Sequence, residues 1–101
     1  VVERPAAQRP PVDALGEERS LVDQARTALA RRAPDDALTA LGEHRRRFPR
    51  GQLAEERLAL EVVALVAAGQ GEEARTRASE FRSTYPASLL SPLVDGASPA
   101  P

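Results

Sequence analysis

The feature that most limits what this chain can fold into is that it repeats itself. Leu15-Gly16-Glu17-Glu18-Arg19 recurs as Leu53-Ala54-Glu55-Glu56-Arg57, 38 residues on. Further along, Ala37-x-Thr39-x3-Glu43-x-Arg45-x2-Phe48-Pro49 recurs as Ala74-x-Thr76-x3-Glu80-x-Arg82-x2-Tyr85-Pro86, 37 residues on. Two matches in the same order describe one supersecondary unit used twice, and such a unit buries its apolar face only by stacking on a neighbour. In a chain of 101 residues this leaves room for a single domain.

Each copy reads as a pair of helices. The first helix is predicted from an N-cap at Asp13 to about Arg32, with Val22, Ala25 and Leu29 at helical spacing. Pro34 suits the opening of the second, Asp35 and Asp36 complement its dipole, and Ala37, Leu41, His44 and Phe48 fall on one face before Pro49 and Gly51 end it. A third helix from about Gln52 to Ala68 is apolar over most of its later circumference and is expected to be central. After Gly69-Gln70-Gly71, Glu72 and Glu73 open a fourth helix, with Ala74, Ala78, Phe81 and Tyr85 on one face before Pro86. Ser88 or Ser91 then caps a short turn holding Leu89, Leu90, Leu93 and Val94. Composition agrees with an all-α fold: there are 19 Ala, no Ile and only three aromatics, Phe48, Phe81 and Tyr85. Small side chains let helices approach closely, whereas a sandwich or barrel needs β-branched and aromatic strands.

Those residues resemble tetratricopeptide (TPR) repeats, whose second helix opens with a small Ala and ends twelve residues later at a Pro. Ala37 to Pro49 and Ala74 to Pro86 keep that interval, and Gly69 stands where the repeat has its inter-helix Gly. In the first copy Arg32 takes that place, and Val62 replaces the small first-helix residue represented by Ala25. The wording Phe48-Pro49-Arg50-Gly51-Gln52-Leu53-Ala54-Glu55-Glu56, followed by Tyr85-Pro86-Ala87-Ser88, is similar to the repeats of bacterial envelope lipoproteins and of membrane-anchored, anti-sigma-factor-like regulators. The resemblance implies two TPR-like helix-turn-helix repeats, about 13–50 and 51–87, with a capping turn at 88–94. It also implies a place in the cell envelope or periplasm, with the cytoplasm as the alternative. It further implies a concave face lined by first helices, which places Arg19, Val22, Arg26, Leu29 and Ala30 beside Glu56, Ala59, Val63, Val66 and Ala67.

The ends read differently from the repeats. Residues 1–12 carry Pro5, Pro10 and Pro11 and are expected to form an extended linker, and Asp95 to Pro101, with Gly96, Pro99 and Pro101, a tail without regular structure. The chain opens Val1-Val2-Glu3 without Met and so reads as a piece of something longer, which empties the absence of targeting signals of meaning. No apolar run approaches the roughly 18 residues needed to cross a bilayer.

Several chemistries find no footing. Without Cys, thiolate sites and disulfides are excluded, and a single His excludes a His-rich metal centre. The 14 Arg and 15 acidic residues nearly cancel, so no basic field draws the chain to nucleic acid or anionic lipid. Arg45, Arg46, Arg47 and Arg50 read as cations at a helix C-terminus rather than a phosphate grip. Glu17-Glu18 and Glu55-Glu56 read as solvated first-turn charges, and His44, at the position Phe81 fills in the second copy, as a packing or solvent-edge residue. No nucleophile, paired carboxylate or phosphate-cradling loop is present in a usable pattern. The expectation is therefore a protein without enzymatic activity, cofactor or metal that binds a protein or peptide partner on its concave face. The alternative is a structural spacer or self-associating domain of a membrane-anchored bacterial regulator.

Overall fold

The computed structural model describes residues 11–97 and is all-α, with no strand among them. Five helices follow in order: α1 (Pro11–Ala30), α2 (Pro34–Arg47), α3 (Ala54–Ala67), α4 (Gly71–Thr84) and the short α5 (Ser91–Ala97). Four main helices and a C-terminal cap are thus the architecture, and α2 and α4 have the same length and begin 37 residues apart. As its apolar circumference requires, α3 is central and packs against all four others. Among the described residues no helix is long and apolar enough to cross a membrane.

Two boundaries differ from those read in the sequence. α1 starts at Pro11 and not at an Asp13 cap, because Pro lacks the N–H that a first helical position leaves unpaired and its φ is already helical. The expected linker therefore loses its last two residues, and its remainder, residues 1–10, lies outside the described residues. At the other end α5 runs through Asp95 and Gly96 to Ala97, where a structureless tail was expected. Arg82 of α4 holds the Asp95 carboxylate at 2.9 and 3.1 Å, and Ala97 packs against the second core, so these contacts extend the helix. Residues 98–101 lie outside the described residues.

The two hairpins have matching cores with the bulk placed differently. Around α1 and α2, Val22, Ala25, Ala28, Ala37, Ala40 and Leu41 enclose Leu60 and Ala64 of α3. Around α3 and α4, Leu58, Ala59, Val62, Ala78 and Phe81 enclose Val94 of α5. At equivalent positions the first core has Ala25 on its first helix and Leu41 on its second, and the second core has Val62 and Ala78. Val62 is thus accommodated in place of a small residue because its counterpart across the hairpin is reduced to Ala.

The turn inside each hairpin is the same Schellman closure built on different residues. Ala33 N–H bonds Ala28 O at 2.8 Å and Arg32 N–H bonds Leu29 O at 3.0 Å; Gln70 N–H bonds Leu65 O at 2.8 Å and Gly69 N–H bonds Val66 O at 3.0 Å. The motif needs a left-handed residue, and Gly69 supplies it with φ 78°. Arg32 is forced to the same region, with φ 60°. A residue with a Cβ sits there at a cost of about 1–2 kcal/mol. Arg32→Gly is therefore expected to stabilise the protein by about 1 kcal/mol, and Gly69→Ala to destabilise it by a similar amount, both read from denaturant midpoints. Equal midpoints for Arg32→Gly and the parent would contradict this account of the turn.

Candidate functional site

The polar chemistry of the molecule gathers where the two hairpins meet, and it starts from Glu18. This carboxylate is only 3% exposed, which corrects its reading as a solvated first-turn charge: α1 begins far enough upstream to put Glu18 in its interior, against the turn that leads into α3. Its oxygens accept the backbone N–H of Gln52 and of Leu53, each at 3.1 Å, and lie 2.9 Å from His44 Nε2. Leu53 is the N-cap residue of α3 and has no side chain able to cap; its own amide and that of Gln52 before it are satisfied by a carboxylate from α1. The approach is close enough that Gly51 is obligatory in this arrangement, since a Cβ there would overlap the Glu18 carboxylate.

His44 is fully buried, its ring tilted against Phe48 with centroids 5.6 Å apart. Its Nδ1 lies 3.2 Å from Arg57 Nη1. A guanidinium can only donate, so Nδ1 accepts and the proton resides on Nε2, donated to Glu18. Burial holds the ring's pKa below its usual 6.5; the Glu18 hydrogen bond opposes this in part, and the Arg57 charge reinforces it. Arg57, 5% exposed, also donates to Phe48 O at 3.2 Å, and burial depresses its pKa. Its Nε lacks a hydrogen-bond acceptor, with Glu61 Oε1 3.8 Å away. Glu61, 6% exposed, is held by both Nε and Nη2 of Arg45 at 3.2 and 2.7 Å, which raises the Arg45 pKa. Arg45 in turn lies 3.8 Å from Glu80 of α4. Glu18, His44, Arg57, Glu61 and Arg45 thus form one chain across three helices, two carboxylates balanced by two guanidiniums around a neutral ring.

This is a structural network. A carboxylate-imidazole pair serves as a general base only if the second ring nitrogen faces a substrate, and here that nitrogen is taken by Arg57 with the ring wholly enclosed. Among the described residues no cluster of three or more His, Asp or Glu is placed to hold a metal. The Arg run is largely engaged: Arg45 with Glu61, Arg46 with Glu43, and Arg47 with Glu17 at 2.7 Å while lying over the Phe48 ring.

The second hairpin shows what the same positions do without buried charge. Phe81 stands for His44 and Val94 for Arg57, and both are fully buried in one apolar cluster. Ser88 stands for Gly51: its hydroxyl accepts Leu90 N–H at 2.9 Å and bonds Glu55. Glu55 is therefore the counterpart of Glu18, which sets the first helices 37 residues apart and moves the Leu-x-Glu-Glu-Arg match of the sequence by one position. The cue that could have exposed the network is the substitution of Phe81 by His44 and of Val94 by Arg57 at one shared offset.

The face mapped from the sequence is only partly available. Val22 is 1% and Ala59 0% exposed, each inside a core, so neither can receive a partner; α5 supplies the Val94 that helps enclose Ala59. Arg26 is brought across from α1 to an ion pair with Glu56 of α3. Arg19 is exposed, Leu29 is half-buried on the edge of the first core, and Val63 and Val66 are half-buried on α3. A separate groove of about 950 Å³ runs between α1 and α2 and takes in Arg19, Ser20, Asp23, Gln24, Thr27 and Glu43, so it shares only Arg19 with the mapped face.

Glu18→Ala is expected to destabilise by about 3 kcal/mol, the usual cost of removing one partner from a buried charge network. Gly51→Ala is expected to destabilise the parent protein yet be nearly neutral on the Glu18→Ala background, because the clash disappears with the carboxylate. Additive effects in that double-mutant cycle would contradict the contact. Comparison with protein-family models, with curated proteins and with solved structures finds no match to this chain.

Proposed function

We infer that this chain is a TPR-like, non-catalytic module that binds a helical or extended peptide segment of a partner protein along the adjoining faces of α1 and α3. The observation that carries the reading is the uneven burial of α3. From Arg57 to Val62, and at Ala64 and Leu65, the helix is enclosed, yet Val63, Val66 and Ala67 are left partly or fully uncovered on its C-terminal half. Apolar side chains three apart on one face of the central helix, not required by either core, suit the anchor positions of an incoming peptide. Arg19, Arg26 and Glu56 supply a charged rim that fixes orientation, and Leu29 extends the apolar strip on α1. Val22 and Ala59 belong to the support beneath it.

The test is selection of binders from a displayed library of random helical peptides against the whole chain, followed by titration of the recovered sequences. Val63→Glu with Val66→Glu is expected to lower affinity at least 100-fold with helical circular dichroism retained, because burying unpaired carboxylates under a peptide costs several kcal/mol. Leu89→Glu, at a turn residue on a different element, is expected to leave binding unchanged. Loss of fold in the valine double variant would show those residues to be core and remove the basis of the reading.

A further inference from the structure

We propose that the contact between α2 and α3 is an acid-labile joint, in which a second proton on His44 expels Arg57 and parts the C-terminal end of α2 from the central helix. The argument begins with donors and acceptors. In the closed arrangement Nε2–H donates to Glu18 and Nδ1 accepts from Arg57 Nη1, so both ring nitrogens are used and the ring is neutral. A proton can add only at Nδ1. The ring then has two donors, and Nδ1–H faces a guanidinium that also can only donate, so a hydrogen bond becomes a repulsion between two buried cations.

The surroundings leave no remedy except movement. The charged groups that face His44 are Glu18 from α1, and Arg57 and Glu61 from α3; behind them stand Arg45 of α2 and Glu80 of α4. Glu18 is already anchored by two amides as well as the ring, and Glu61 is held by two nitrogens of Arg45. Arg57 is the least secured member: its Nε lacks an acceptor and its distance to Glu61 is 3.8 Å. It is therefore the group that leaves, and with it goes the bond to Phe48 O that ties α3 to the end of α2.

The sign of the pH dependence follows. A buried ring with a pKa below 6.5 in the closed form takes its proton later than a solvated one, so closure is at full strength above about pH 6.5 and weakens as pH falls through the closed-form value. The corresponding contact between α4 and α5 is made by Phe81 and Val94, which do not titrate, so acid acts on one joint and spares the other.

The chain contains no Cys, which permits a direct test on the whole protein. Spin labels on Gly42→Cys, where an added Cβ meets open space, and on Ser79→Cys, exposed on α4, report the spacing of the two hairpins by pulsed EPR. Between about pH 7.5 and about pH 5, a range that brackets the ordinary histidine pKa, a second, longer distance population is expected to grow with the same midpoint as the His44 ring resonance in NMR, helical circular dichroism being retained. His44→Gln can still donate to Glu18 and accept from Arg57 but does not titrate, and it is expected to keep a single distance throughout. Should that variant fail to fold, His44→Phe with Arg57→Val, which copies the second interface, serves the same purpose. An unchanged distance while the ring titrates would overturn the proposal. So would loss of helix and distance at one midpoint, or equal opening in the non-titrating variant.

Discussion

One carboxylate holds three helices in register. Glu18 leaves the middle of α1, accepts the two amides that lead into α3, and fixes the ring of His44 on α2. The turn from Phe48 to Leu53 has little apolar burial of its own and is defined by this anchor, with Gly51 giving the carboxylate room to approach. Because α3 contacts every other helix, its starting point determines the seat of α4 and α5 as well. Buried hydrogen-bonded charge contributes little net stability compared with apolar packing of the same shape, but it tolerates few alternative arrangements. In this protein its visible effect is to specify where the central helix begins.

The α2–α3 and α4–α5 contacts show the same problem solved twice. Phe81 against Val94 is the apolar solution, closed by Ser88 and Glu55; His44 against Arg57 is the polar one, closed by Gly51 and Glu18. The polar version joins five side chains in one hydrogen-bonded and ionic chain where the apolar version packs Phe81 on Val94, and it still leaves Arg57 Nε without an acceptor. It contains a titratable ring, which the apolar contact lacks. The face between α1 and α3 that we assign to a partner carries the Arg26–Glu56 pair on the same two helices that hold Glu18 and Arg57.

Much of the fold was legible because its signals are local. Pro34, Pro49 and Pro86, the Gly69-Gln70-Gly71 break and the one-face stripes of α2 and α4 place helices by backbone chemistry that acts within a turn or two. The start of α1 and the end of α5 depend on signals that are not local or not decisive: Ala97 is held by side chains distant in sequence, and the choice between Pro11 and Asp13 as a start is weakly determined by composition. The site was the least legible part. Adjacent glutamates near an Arg look like ordinary surface charge, and nothing in Glu17-Glu18 says that one of them is enclosed by a turn more than thirty residues away. For the same reason the TPR resemblance places Val22 and Ala59 on an open face, whereas the hairpin cores, with α5 beside Ala59, enclose them.

The exchange of bulk between the two cores bears on how the chain finds its partners during folding. The helix carrying Leu41 meets Ala25, and the helix carrying Ala78 meets Val62. Were α2 to dock on α3 as α4 does, Leu41 and Val62 would compete for one space; were α4 to dock on α1, Ala25 and Ala78 would leave a void. Two near-copies joined in tandem invite such crossed docking, and their sequences are alike enough that helix periodicity would not forbid it. Steric memory in four side chains gives each second helix a single correct mate, which lets an internally duplicated chain reach one topology rather than two.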